Sequence, residues 1–342
     1  MVERPVTSAE VAARAGVSQS AVSRVFTPGA SASKATVDKV RKAAAELGYR
    51  PNVLARAMVS GKSRIIGLVV AYLENHFYPE ALEKLSNALQ ERGYHVLIFM
   101  AANTSDKIDD VVEEILDYQV DGIIAASVAL SSQLSERCRA AGIPMVLFNR
   151  SQPGTELSYV TSNNRAGGRK VAEYLLACGH QRIGHIAGWD GASTQADREA
   201  GFVARLHEAG QDLFARAGGD FHADKAAQAA RDMFDKPADQ RPDAVFVAND
   251  HMGFAVMDVL RFELGLSVPG DVAVIAYDDV PIASWPAYDM TTVRQPANRM
   301  VAETVDILLA EIEGKSDGPR QVEIDGPLII RGSTRKAEGW NE

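Results

Sequence analysis

From Ile65 onward, short apolar runs alternate with longer amphipathic stretches, and this alternation constrains the fold more than any other feature of the chain. The runs are Ile65–Val70, His95–Met100, Gly122–Ala126, Met145–Phe148, Ile183–Ala187, Ala244–Val247 and Val272–Ala276. Between them lie helix-length stretches such as Pro79–Arg92, Arg165–Cys178, Thr194–Ala209 and Pro296–Gly314. Strand alternating with helix predicts a parallel sheet with helices on both faces. Seven or more such units exceed one comfortable sheet. The body is therefore expected to be a two-lobed, doubly wound α/β structure, with the chain passing between lobes near Asn163, Met290 and Gly318.

The first 64 residues differ in pattern and in charge. They carry 11 Lys/Arg against 4 Asp/Glu, a balance of +7, while the remainder carries 25 against 41, a balance of −16. A basic head on an acidic body separates a polyanion-binding module from its carrier. Thr7, Ser18 and Ser33 each precede a helical pattern, over Ser8–Ala15, Gln19–Phe26 and Lys34–Leu47, and each hydroxyl suits a helix N-cap. Gly16 can adopt the positive φ of a tight turn between the first two segments. Two short helices on a glycine turn form a helix-turn-helix, whose second helix enters the DNA major groove. Its exposed face would carry Gln19, Ser20, Ser23 and Arg24. Gln pairs bidentately with adenine and Arg with guanine, while Ser reaches phosphates or bases. A small three-helix domain with a solvated polar face would show the same pattern; the charge favours DNA.

The segments "VTSAEVAARAGVSQSAVSRVF" and "KVRKAAAELGYRPNVLARAM" resemble the DNA-binding headpiece of the lactose/galactose-repressor family in order and spacing. By that resemblance Gln19, Ser20 and Arg24 are base-reading positions, and Thr7, Ser18 and Ser33 contact phosphates. Residues 52–60, from Asn52, correspond to the family's hinge helix, two copies of which pack in the minor groove and wedge an apolar pair into a base step. Met58 stands where the family has leucine. It would serve as that wedge or as a helix residue packing on the body. Ser60-Gly61-Lys62-Ser63 ends like a P-loop, but Arg56 occupies the required upstream glycine position, which excludes a nucleotide-binding loop.

Ligands of open parallel sheets bind beyond the carboxyl ends of the strands. The residues following the runs are Asn75 to Tyr78, Asn149 and Arg150, Asn249 and Asp250, and Asp278 and Asp279, with Trp189, Asp190 and Arg198 after Gly188. Carboxylate, amide and guanidinium groups beside an aromatic wall suit a small polyhydroxylated ligand. Asp278 and Asp279 are adjacent on a strand end and should point to opposite sides. Segments such as "RPDAVFVANDHMGFAVM" and "GLSVPGDVAVIAYDD" extend the resemblance along the body, which it implies is like the periplasmic sugar-binding proteins. By position, Asn149, Arg198, Asn249 and Asp278 match the family's effector-contacting set, with Phe77 and Tyr78 as a wall and Phe221 as an aromatic lid; strand-end logic and this family position put Arg198 and Asp278 on opposite walls of one cleft.

These readings divide the chain into a helix-turn-helix domain at 1–50, a hinge and linker at 51–63, a two-lobed effector and dimerisation body at 64–334, and a tail at 335–342. Lobe 1 would take about 64–162 and 291–318, and lobe 2 about 163–290 and 319–334. The expected function is a transcription regulator, a repressor by preference. Its expected partners are a pseudo-palindromic operator duplex, a carbohydrate-like effector, and a second copy of itself or a higher oligomer. The N-terminus shows no signal-peptide pattern, no run approaches the length of a membrane span, and the two cysteines, Cys138 and Cys178, form no metal or disulfide pattern. A cytoplasmic, nucleoid-associated bacterial protein without cofactor is the expectation. The rival is a sugar-binding transport or sensor protein, or an enzyme, on the same body. Transport would need a signal peptide and no residues 1–60; an enzyme would need a nucleophile or metal set, and there is no His-Glu-x-x-His and no Gly-x-Ser-x-Gly nucleophile elbow, since Gly314-Lys315-Ser316-Asp317-Gly318 follows a helical stretch and not a strand.

Overall fold

The computed structural model describes residues 4, 6–27, 30–50, 62–71, 73–100, 111, 114–128, 132–152, 154–337 and 340. Asn52 and Met58, with the rest of the expected hinge helix, lie outside the described residues. The chain divides into two compact units, with the boundary in sequence between Arg64 and Ile65.

The first unit contains α1 (Ser8–Ala15), α2 (Gln19–Phe26) and α3 (Lys34–Leu47). Thr7, Ser18 and Ser33 each accept a bond from a backbone N–H of the first turn, and Thr7 forms a reciprocal capping box with Glu10. Gly16 and Gly48 close α1 and α3 at φ 65° and 66°, the left-handed conformation that glycine adopts without strain. Val11, Ala12, Val22, Val40, Ala43 and Ala44 form the core, with the Phe26 and Tyr49 rings 5.8 Å apart at its edge.

The second unit has two six-stranded sheets. The first contains β1 (Ile65–Val70), β2 (His95–Met100), β3 (Gly122–Ala126), β4 (Met145–Phe148), β5 (Ser158–Ser162) and, late in the chain, β11 (Gln321–Ile324), in the order β11-β5-β4-β3-β1-β2, all parallel. The second contains β6 (Ile183–Ala187), β7 (Ala215–Gly218), β8 (Ala244–Val247), β9 (Ala273–Asp278), β10 (Thr291–Arg294) and β12 (Leu328–Ile329), in the order β12-β10-β9-β8-β6-β7. It is parallel except for β12 on β10. Central strands such as β1, β3, β8 and β9 are buried along their length, as strands covered on both faces must be. The helices of this unit include α4 (Phe77–Glu91), α5 (Ser132–Ala140), α6 (Asn164–Ala177), α7 (Ser193–Glu208), α8 (Ala223–Phe234), α9 (Asp250–Asp258) and α10 (Ala297–Ile312). No helix among the described residues is long and apolar enough to cross a membrane.

Two expected crossings are displaced. β10 pairs with β9 in the second sheet, so the chain returns to the first lobe after Arg294 and not near Met290. β11 pairs with β5 in the first sheet, so the last crossing follows Ile324 and not Gly318. Residues 291–294 therefore belong to the second lobe and 321–324 to the first. Both strands are short and carry polar residues, so no apolar run marks them. Of the expected tail, Ala337 and Trp340 pack on the second lobe, with the Trp340 ring 5.0 Å from that of Tyr174.

α6 and α7 cross at two glycines: a Cβ on Gly168 would lie 1.9 Å from the carbonyl oxygen of Arg198, and one on Gly201 equally close to that of Arg165. This backbone contact sets the height of Arg198 above the second sheet. Beneath α7, His185 is fully buried on β6. Its Nδ1–H donates to the Phe246 carbonyl at 2.9 Å, and its Nε2 accepts from Gln195 Nε2 at 3.1 Å. Burial lowers its pKa from 6.5 to about 4. Above pH 6.5 the ring is neutral in folded and unfolded chains alike. Below it the unfolded chain takes up a proton that the folded chain refuses, so stability falls with pH until about 4, by about 3 kcal/mol in all. His185→Gln is expected to lower the urea midpoint at pH 7 and to flatten its fall between pH 7 and 5; a parallel fall in both proteins would refute this assignment.

Candidate functional site

In the first unit, Val22 is buried on α2 while Gln19, Ser20, Ser23 and Arg24 are exposed, so the expected reading face points to solvent. The Gln19 amide nitrogen donates to Ser8 Oγ at 2.9 Å, and Arg24 Nε donates to the Ser20 carbonyl at 3.3 Å. Both contacts steady long side chains and leave the Gln19 carbonyl and the outer guanidinium N–H groups outward. Ser18 shares a hydrogen bond with Ser20 at 2.9 Å, and Ser33 one with Thr36 at 2.9 Å. Thr7 is less open, because its hydroxyl and its backbone N–H both donate to Glu10, at 2.8 and 2.7 Å.

In the second unit, the carboxyl ends of the strands gather a buried polar cluster centred on Asp278. Gln295 Nε2 donates to its Oδ1 at 2.7 Å, Arg198 to the same oxygen at 3.5 Å, and Asn75 Nδ2 to Oδ2 at 3.0 Å. Arg198 also donates to Asn164 Oδ1 at 2.9 Å and to the Ala248 carbonyl at 2.6 Å, and its guanidinium lies 3.7 Å from the Tyr277 ring centroid. Arg198 and Asp278 were expected on opposite walls of the cleft. They stand on the same wall, from α7 and β9 of the second lobe, and pair directly. The group that reaches Asp278 across the cleft is Asn75. Burial pushes the Asp278 carboxyl up, against the opposing pull of Arg198 and the amide donors. Asp250, wholly buried, accepts from Thr292 Oγ1 at 2.6 Å and from the Val280 N–H at 2.9 Å; burial and the Asp278 charge push its carboxyl up further. Asp279 turns away from the cleft to Arg294 at 2.6 Å and Arg331 at 2.7 Å, as the alternation of a strand end requires.

Asn149 ends β4. Its amide nitrogen donates to Tyr78 Oη at 3.1 Å, and its Oδ1 is buried without a partner. Asn249 follows β8, and its Oδ1 caps α9 by accepting from the Met252 N–H at 3.0 Å, leaving Nδ2 buried without a partner. Phe221 lies against Gly188, where any Cβ would meet its ring at 2.3 Å, and 6.0 Å from the Arg150 guanidinium. Phe77 and Tyr78 belong to the first lobe's core: Phe77 stacks on Phe148 at 6.3 Å while its N–H donates to Asn75 Oδ1 at 3.1 Å, and Tyr78 Oη accepts from Asn149. Ser127, Asn149, Phe221, Asp278 and Asp279 all have positive φ, a concentration of backbone strain at strand ends.

Sequence reasoning did not single out Asn164, Gln295 or the contacts of Arg150. Arg150 donates to Thr194 Oγ1 and Ser127 Oγ, and the Ser151 N–H donates to Ser193 Oγ at 3.0 Å, tying the first lobe to the start of α7. Asn75 and Arg150 stood among the strand-end residues. Gln295 sits in a crossing placed elsewhere by the apolar pattern.

A model of bacterial regulatory proteins of the lacI family matches residues 7–52, and one of a periplasmic binding protein-like domain matches 172–334. The chain is 31% identical over 335 residues to the HTH-type transcriptional repressor PurR of Vibrio vulnificus, covering 96% of this chain and 99% of that protein. The structure of the Lac repressor dimer bound to operator and the anti-inducer ONPF aligns with a TM-score of 0.87 at 28% identity, over 97% of this chain and 99% of that one. The complex of the transcriptional regulator CelR with cellobiose aligns with a TM-score of 0.72 at 33% identity, over 96% and 100%. Helix-turn-helix head, two-lobed body and likeness along nearly the whole length agree, and the chain belongs to the lacI family of bacterial regulatory proteins as a DNA-binding transcription regulator.

Proposed function

We propose that the protein is a homodimeric cytoplasmic repressor, with no reaction of its own, whose operator affinity is set by a small carbohydrate-like effector held between the two lobes. The observation that carries this reading is the pairing of unpartnered, buried polar atoms at the strand ends. Asn149 Oδ1 is an acceptor from the first lobe and Asn249 Nδ2 a donor from the second. A ring hydroxyl both donates and accepts, so a polyhydroxylated ligand satisfies the two together, with Phe221 against an apolar face. The relative solved with cellobiose supports the same ligand class. Such a ligand favours one relative orientation of the lobes and shifts the population toward it. The operator enters through Gln19, Ser20 and Arg24 as base readers, with Ser18, Ser23 and Ser33 on phosphates. Ile98 and Met100, each about half exposed on the edge strand β2, supply apolar surface for a second copy.

Operator affinity should fall steeply with salt as phosphate counterions are released. A truncated chain beginning at Lys62 should keep effector binding and lose the operator; specific operator binding by that body in a gel-shift titration would overturn the assignment. Arg24→Ala is expected to cost about 1–3 kcal/mol on sites with the read guanine. Uniform weakening across a randomised operator library would make Arg24 a phosphate contact.

Asp278→Asn should weaken effector binding by about 2–5 kcal/mol, because it leaves Arg198 buried without its carboxylate. Bare operator affinity should stay near the parental value while the effector's influence on it disappears. Calorimetry with a sugar identified by thermal-shift screening, run beside operator binding, checks both; normal binding and normal response in this variant would refute the cleft assignment.

A further inference from the structure

A cavity of about 650 Å³ opens on the first lobe at the amino-terminal ends of β4 and β5, the end of the sheet opposite the cleft. That volume suits a small organic molecule. Ile143, Met145 and Leu157 form an apolar wall continuous with the lobe's core. The charged lining is three carboxylates, Glu136, Glu156 and Glu311, against one guanidinium, Arg139, which is already held by Glu156 at 3.1 Å.

Glu311 stands apart from the other two acids, which are exposed. It projects from the last turn of α10 and is half-buried. Its Oε1 accepts from Ser158 Oγ at 2.5 Å, and Ser158 in turn accepts from the Arg320 N–H at 2.9 Å, so the one proton of that hydroxyl is spent on Glu311. Among the described residues no cation pairs with this carboxylate. Lys315, one turn further on, is held by Glu313 at 2.6 Å. Burial pushes the Glu311 carboxyl up, and the Ser158 hydrogen bond opposes this only in part.

We propose that this cavity is a second ligand site, separate from the cleft, that binds a small organic ammonium ion with its charge on Glu311 and its hydrocarbon against Ile143, Met145 and Leu157. An ammonium group supplies the charge-assisted hydrogen bond that the free carboxylate oxygen lacks. The apolar wall selects against inorganic cations and hydrated amines without a hydrocarbon part. The excess of carboxylates around the mouth excludes anions.

The test is calorimetric titration of the full chain with phenethylamine, with phenethyl alcohol as a neutral ligand of similar shape. Saturable binding of one amine per chain is expected, at least about tenfold tighter than the alcohol. Glu311→Gln, which keeps an acceptor for Ser158, should bring the two affinities together, with the alcohol's unchanged. Leu157→Trp fills the cavity and should weaken both ligands. A thermal melt of each variant reports folding. Equal affinity for amine and alcohol, undiminished preference for the amine in Glu311→Gln, or no saturable amine binding tighter than about 10 mM would overturn the proposal. Should Glu311→Gln fail to fold, Leu157→Trp decides, and unchanged amine affinity in it would be equally fatal.

Discussion

The buried ion pair of Arg198 and Asp278 draws elements of both lobes into one web of hydrogen bonds. Arg198 sits on α7, and its donors reach α6 through Asn164, the end of β8 through Ala248 and the end of β9 through Asp278. Asp278 continues the web to Gln295 in the crossing between lobes and to Asn75 in the first lobe. Taking two charges out of water is expensive, so such a pair adds little net stability compared with apolar residues of the same volume. Removing one partner is a different matter, because the other is left buried and charged, at a cost of about 3–5 kcal/mol. The pair therefore acts chiefly on geometry: it fixes where guanidinium and carboxylate stand relative to both lobes.

That geometry is supported by strain and by close packing. Positive φ values at Asn149, Phe221 and Asp278 turn their side chains off the strand direction, and each costs free energy that the surrounding contacts must offset. The α6–α7 crossing has no room for a side chain at Gly168 or Gly201. Arg198 is consequently placed by backbone contact as well as by its own hydrogen bonds. The site is rigid where it must be specific. The lobes meet through a handful of side-chain hydrogen bonds, including those of Asn75 and Arg150, which a ligand with differential affinity for two orientations can outweigh.

The small first unit follows another logic. Its helices of 8, 8 and 14 residues are too short to persist alone and depend on their caps and on six buried residues for stability. Its polar face is free because the apolar residues are confined to one side of each helix. A module of this size is marginal.

The helices of the first unit were legible in the sequence to the residue, because Thr7, Ser18, Ser33, Gly16 and Gly48 act through local hydrogen bonds and local backbone preference. The central strands were legible for a related reason: a strand buried on both faces must be a continuous apolar run. The sequence also placed Asn149, Asn249 and Asp278 at strand ends, since the residue after a run is a matter of counting. Tertiary structure decided the rest. β10 and β11 carry mixed residues and β12 has only two, so only pairing with a neighbour assigns each to a sheet, and two crossings were displaced. Strand-end logic says that Arg198 and Asp278 are near a cleft but not on which wall, because the wall depends on which sheet each element joins. Asn164 and Gln295 gave no signal at all: an amide in a connection acquires its role only when folding brings a buried charge within hydrogen-bond reach.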